Sequence, residues 1–418
     1  MGKADAATST TRLNRTICLP FSQEPYDNKI NSAVDFRKFL DAQYELFPEL
    51  FPPSFSKGYR MKDKYRSKKL SIWIRRIKVD GIAYTIRPAF AMPYMTGFTK
   101  DVEKPLMLRK AAVPFWMLAY GFGKNPMYWY RMETSLGKNS LIGTSIKNPE
   151  YLPQHISADE KHSRIKGEKV YVPCTVGNDC ILGVAVKESA GQQDLEAGYG
   201  VFKKEAQDLN PNYSPQTCNT DGWMPTMNAF KSLFPAMVLI SCFLHLYISI
   251  RDRSRKKFKD IFRLVSDKLW SCYQAKSKAS FAQRVRRLHE WASCREMPSV
   301  IMTKLEKLRN NLPSFSIAYN HPGAHRTSNM VDRLMQRLDR YLFCTQYFHG
   351  SLEAAEQGVR GWALIQNFAP SNPRTVAKYH GLQSPAERLN GFRYHENWLQ
   401  NLLISASLGG FRGPPQNP

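Results

Sequence analysis

The spacing of hydrophobic positions changes character several times along this chain. Phe36, Phe39, Leu40 and Tyr44 recur at helical intervals across residues 35–50, and Phe51-Pro52-Pro53 closes that element. Residues 81–92 alternate apolar and polar, as a half-buried strand does. Residues 111–120 read as a short helix, Gly121-Phe122-Gly123 as a turn and Pro126–Leu136 as a second helix. Pro126 sits in its first turn, where a missing N–H costs little, and Gly137 supplies a stop. Past residue 152 the pattern turns to β. Strands are expected at 154–158, ending at Asp159, then at 168–176 and 180–186, joined by the hairpin signals Lys166-Gly167 and Gly177-Asn178-Asp179. A helix (195–209), a strand (216–220), a helix (223–234) and a strand (236–241) follow.

Residues 251–325 are charged and helical in pattern, with Trp270, Tyr273, Phe281, Leu288 and Trp291 spaced as buried faces. A long helix (329–347), another at 352–366 and a capped start at Ser384-Pro385-Ala386-Glu387 complete the chain. Three antiparallel strands followed by alternating helix and strand is the order of a ribonuclease H-like sheet. In that order the first and fourth strands are neighbours, so Asp159 and Asp221 should converge. The expected fold is α/β: a ribonuclease H-like catalytic core interrupted by an all-helical insertion, behind a mainly helical N-terminal DNA-binding region. The expected divisions are a disordered 1–30, a basic region 31–150 with a helix-turn-helix candidate at 111–137, a first core part 151–250, the insertion 251–325, a second core part 326–408 and a flexible tail 409–418.

Composition narrows the partners. With 418 residues, 60 Lys and Arg against 35 Asp and Glu, and a formal charge of +25, the chain should be drawn to polyanions. Ten of the twenty-two residues from Lys57 to Lys78 are basic, interleaved with Tyr59, Tyr65 and Trp73. Lys57, Arg60, Lys62, Lys64, Arg66, Lys68, Lys69, Arg75, Arg76 and Lys78 are therefore candidates to grip DNA phosphates. Tyr128, Arg131 and Lys138 are groove-facing candidates around the second helix of the turn motif, although any packed helical hairpin shares that pattern. Residues 232–250 are long enough for a membrane span, but Pro235 and His245 interrupt them, and a buried strand running into a core helix explains them better. Eight scattered cysteines without a Cys-x-x-Cys pair, and no secretory signal, suggest a reduced cytoplasmic protein, associated with the nucleoid if it binds DNA. No phosphate-loop motif is present.

Three carboxylates carry the candidate chemistry: Asp159 and Asp221 at strand ends, and Asp332 on the helix opened by Arg326-Thr327-Ser328-Asn329. Unit charges about 4 Å apart repel by roughly 4 kcal/mol at an intermediate dielectric, so converging aspartates call for a cation. Phosphodiester cleavage by two magnesium ions, with manganese as a substitute, needs such hard oxygen ligands. Each Asp alone has a plain alternative, Asp221 as a turn residue before Gly222 and Asp332 as an ion-pair partner of Arg333. Cys242 and His245, three apart at a helix start, lack two further ligands for zinc, and read as a packed thiol and a hydrogen-bonded or substrate-positioning imidazole.

Thr220-Asp221-Gly222-Trp223, Cys242-x-x-His245, the helical insertion, Thr327-Ser328-Asn329-x-x-Asp332 and Ser384-Pro385-Ala386-Glu387, in that order, resemble DDE-type insertion-sequence transposases of the Mutator-related kind. The resemblance implies Asp159, Asp221 and Asp332 as catalytic metal ligands. It also implies cleavage at element ends, strand transfer into target DNA, and a homodimer or higher oligomer on DNA, with no membrane involvement. Asn329, one turn before Asp332, is a candidate to orient substrate. The family's third carboxylate is usually Glu, so Glu353 or Glu356 could take the role given to Asp332, and a non-catalytic DNA-binding descendant is the alternative. Glu160 should point to the opposite side of its strand as a bystander.

Overall fold

Residues 14–411, apart from Pro25 and residues 255–257, are described by the computed structural model. Two mixed sheets organise a largely helical chain. The first comprises β1 (Thr16–Leu19), β2 (Tyr59–Arg66), β3 (Trp73–Val79) and β4 (Ile82–Pro88) in the order β1-β4-β3-β2, with β1 parallel to β4. Helix α1 (Ala33–Leu46) buries Phe36 and Leu40 in the same core.

This sheet corrects two expectations. The basic stretch is the β2–β3 hairpin, so the N-terminal region is not simply helical. Its alternation is masked because the inward positions of β2 include Asp63, while Arg60, Lys62 and Lys64 occupy the exposed ones. Nor is the chain before residue 30 disordered as a whole. Ile17, Cys18 and Leu19 are fully buried and Tyr26–Asn31 is helical, while residues 1–13 lie outside the described residues. The Ser407 hydroxyl accepts from the Cys18 N–H (3.1 Å) and donates to the Leu50 carbonyl (2.7 Å). The expected flexible tail likewise begins too early: Gly409 and Gly410 are buried, and Ser140 N–H donates to the Gly409 carbonyl at 2.9 Å. Residues 412–418 lie outside the described residues.

Helix α2 (Thr99–Lys110) precedes α3 (Phe115–Phe122) and α4 (Pro126–Leu136). The turn-motif helices exist, but α3 starts later than its pattern suggests because Ala112 takes a positive φ and Pro114 caps the start. α4 is a packed helix. It buries Trp129, Met132, Glu133 and Leu136, and crosses a later helix with glycines at the contact. A Cβ on Gly137 would stand 1.9 Å from the Gln357 carbonyl oxygen, and one on Gly361 would stand 2.1 Å from that of Glu133.

The second sheet has the order β7-β6-β5-β8-β9, from β5 (His155–Ile165), β6 (Glu168–Gly177), β7 (Cys180–Val184), β8 (Thr217–Thr220) and β9 (Val238–Ser241). β5 runs antiparallel to β6 and parallel to β8, and β8 runs parallel to β9. β5 continues well past its expected end because β6 pairs it as far as Ile165. Its alternation assigns Ile156, Ala158 and Glu160 to one face and Asp159 and Lys161 to the other. Helices α5 (Gln192–Leu209) and α6 (Met224–Leu233) pack on the first face. After α7 (Phe243–Ser254), helices α8 (Lys259–Tyr273), α9 (Lys278–Ser293) and α10 (Ser299–Asn310) enclose a separate apolar core. Helix α11 (Asn329–Cys344) and α12 (Leu352–Phe368) then return to the second face of the sheet. No described helix is long and apolar enough to cross a membrane, and residues 232–250 form the end of α6, β9 and most of α7.

Candidate metal centre

Because Asp159 and Lys161 share a face of β5, both look toward α11. Lys161 pairs with Asp339 of that helix at 2.6 Å, a partly exposed link between helix and strand. The segment before α11 is laced to the sheet and to α7. Asn219 of β8 donates to the His325 carbonyl (3.0 Å), Phe243 N–H to the Arg326 carbonyl (3.1 Å), and Ser328 N–H to Cys242 Sγ (3.1 Å). These ties bring the first turn of α11, with Asp332, against the start of α7, with His245.

One carboxylate oxygen each from Asp159 and Asp332 and one ring nitrogen of His245 all lie within 4.8 Å of one another. Ser328 links two of the three: its hydroxyl donates to Asp332 Oδ2 (2.8 Å) and stands 3.2 Å from His245 Nδ1. Burial pushes the Asp159 carboxyl up to about 6, against the lowering effects of His245 and the Glu160 N–H, with Asp221 and Asp332 pushing it further up. Burial also raises Asp332, opposed by the Ser328 hydrogen bond and by His245. His245 moves to about 9, first through hydrogen bonding with the Cys242 thiol, then through the charges of Cys242, Asp332 and Asp159, with burial acting the other way. Burial is the first cause of the rise at Asp159 and at Asp332, and neighbouring carboxylates add to it.

Asp221 leaves β8 at its carboxyl end and is exposed. Gly222 at φ +87° turns the chain so that Trp223 N–H donates to Asp221 Oδ1 at 2.7 Å, starting α6. Asp221 thus makes the expected turn. It is outside the close group, yet its charge acts on Asp159, Glu160 and Asp332. Cys242 is buried and acts as a hydrogen-bond partner rather than joining the group. Asn329 is exposed on the first turn of α11. Glu353 and Glu356 are engaged elsewhere, Glu353 by Gln357 (3.0 Å) and Glu356 by Val186 N–H (3.1 Å).

Two contributions go beyond the sequence reading. His245, expected as a hydrogen-bonded or substrate-positioning imidazole, joins the carboxylates as a potential ligand, 86 residues from Asp159. Glu160 does point to the opposite face, but it is more than a bystander. Tyr199 and Thr226 both donate hydroxyl hydrogen bonds to its Oε1, and burial pushes it up to about 7, with Asp159 and Asp221 adding to the rise.

The basic hairpin presents Lys57, Arg60, Lys62, Lys64, Arg66, Lys68, Lys69 and Lys78 as exposed residues. Others are committed to the fold: Arg76 pairs with Asp63 at 2.5 Å, and Arg75 donates to the Ile30 carbonyl at 2.6 Å. Lys64 also donates to Asn31 Oδ1 at 2.7 Å. Around α4, Arg131 and Lys138 are exposed, while the half-buried Tyr128 donates to the Thr96 carbonyl at 3.2 Å. No protein-family model matches the chain, and no curated protein matches it significantly.

Proposed function

We propose that this chain is a DDE-type transposase that cleaves DNA at the ends of an insertion element and joins them to target DNA. The observation that carries the reading is the convergence of Asp159, Asp332 and His245, with Asp221 acting on the same carboxylates. The strand order β7-β6-β5-β8-β9 supports a ribonuclease H-like core, and the helical block between α7 and α11 supports the insertion. The net charge of +25 and the exposed hairpin cations support DNA as substrate.

The donor set fits a divalent cation. Carboxylates suit magnesium and manganese, an imidazole tolerates manganese, and a cation would offset the burial that, with neighbouring carboxylates, lifts Asp159 and Asp332. Asp159, Asp332 and His245 would hold it, and Asp221 offers a carboxylate for a second ion. Such ions supply polarisation of the phosphodiester and an acidified water or 3′-hydroxyl. The chain's own residues do the positioning: Ser328 orients Asp332 and His245, and the hydrogen bonds from Asn219 to the His325 carbonyl and from Ser328 N–H to Cys242 anchor the start of α11.

The elevated titration of His245 favours a second reading, a non-catalytic DNA-binding protein whose imidazolium neutralises Asp159 and Asp332 in place of metal. The two separate on DNA carrying the sequences that flank this gene, incubated with magnesium or manganese. Metal-dependent nicking and joining by wild type, with binding but no cutting by Asp332→Ala, supports the transposase. Binding without cutting by both proteins selects the second reading.

A further inference from the structure

On the other side of the molecule's N-terminal sheet, two adjoining clefts of about 1220 Å³ and about 460 Å³ share Lys69, Tyr94, Ser135 and Lys138 as walls. Arg15, Lys69, Arg87, Arg131 and Lys138 line them, and no acidic side chain does so among the described residues. Arg87 is the telling member. It is 5% exposed, its Nε has no hydrogen-bond partner, and its Nη1 reaches the Ala91 carbonyl at 3.4 Å. The Cys18 thiol beside it is pushed up by burial and offers no charge. Arg87 has no ion pair with an acid among the described residues. A guanidinium buried without a counter-charge is costly, and its unpartnered Nε leaves a place for an anionic acceptor.

The aromatic residues say which anion. Tyr94 and Met95 both take positive φ (59° and 53°), a strained conformation for residues with a Cβ that is retained where geometry matters. The result is a Tyr94 ring 64% exposed at the junction of the clefts, with Lys138 Nζ 5.3 Å from its centroid. Tyr65, 39% exposed, has Arg76 5.4 Å from its ring centroid. A ring and a cation side by side match a base and its phosphate, and stacking requires a base that is not paired.

We propose that this trench binds a single strand of nucleic acid, its phosphates on Arg15, Arg87, Lys69 and Lys138 and a base stacked on Tyr94. The site is independent of the carboxylate cluster and is tested without metal. The full chain is used, because Asn14 and Phe411, the first and last described residues, both line the trench. Fluorescence anisotropy in EDTA compares a labelled single-stranded oligonucleotide with its duplex for wild type, Tyr94→Ala and Lys138→Ala. Both substituted residues are exposed, so the fold should be retained.

Tyr94→Ala should weaken single-strand binding roughly tenfold and leave duplex binding unchanged. Lys138→Ala should reduce the single-strand salt slope by about 0.7. Wild-type single-strand affinity in both variants, or equal losses on single strand and duplex, overturns the proposal. Cleavage plays no part in the readout, so a failure here is distinct from a failure of the carboxylate site.

Discussion

Glu160 and Asp159 sit side by side on β5 and titrate upward together, which ties the stability of the metal-free protein to pH. A carboxyl raised in the folded state contributes stability that is complete below its ordinary value and is lost as pH rises through the folded one. With Asp159 at about 6 and Glu160 at about 7, the loss should run from the ordinary carboxylate range to neutrality. Glu160→Gln keeps an oxygen for Tyr199 and Thr226 and removes the charge. It is expected to raise the melting temperature in EDTA at about pH 8 and to change little at about pH 4, where the native carboxyl is already neutral. Equal melting temperatures at the higher pH would mean Glu160 carries its charge without penalty. The adjacency of these residues and their opposite faces were legible in the sequence, because strand alternation is local. The approach of Asp221 to Asp159 followed from the strand order, but His245 as a neighbour of Asp332 did not, since it depends on how α7 and α11 dock.

Elements meet around a buried ionic knot. Arg109 of α2 pairs with Glu133 of α4 at 2.6 Å with both side chains fully buried, and the Tyr341 hydroxyl of α11 donates to the same carboxylate at 2.8 Å. Removing one member leaves an unpaired buried charge, so Glu133→Ala should destabilise by about 3–5 kcal/mol, measured by denaturant unfolding. A loss under about 1 kcal/mol would show that α4 and α11 are held by apolar packing instead. Gly361→Ala should also be costly, because its Cβ would strike the Glu133 backbone where α4 crosses α12. The strands of the second sheet and the helices around them were readable because apolar periodicity survives there. The four residues of β1 are too few to establish a period, and β2 carries lysine and arginine on its outward positions, which reads as a charge run. For α4, the pattern disclosed a helix but not the glycine-lined contact that commits one side of it to the interior.

At the scale of the whole molecule, cations are spread over the hairpin and the trench, while the carboxylates gather between β5, β8 and α11. That division suits a chain that holds a polyanion broadly and acts on it at one place. Arg60→Ala with Lys62→Ala, both exposed on β2, should weaken duplex binding alike for all sequences and lower the salt slope by about 0.9 for each phosphate no longer neutralised. A loss confined to one sequence would mean these side chains read bases. Net charge made the excess of cations, and with it the proposal of a polyanionic partner, legible from composition alone. The surface that joins Arg87 and Tyr94 to Lys69 and Lys138 was not legible, because it is assembled only in the fold.

The account turns on whether the cluster takes a divalent cation, and calorimetric titration of manganese into the full chain at about pH 7.5, beside Asp159→Ala and Asp332→Ala, asks this directly. The prediction is saturable binding by wild type that is lost or weakened at least tenfold in either variant and reduced at about pH 5, where Asp159 is protonated. Absence of binding by wild type, or binding that both variants retain in full, would contradict the account and leave an imidazolium at His245 as the partner of the two carboxylates.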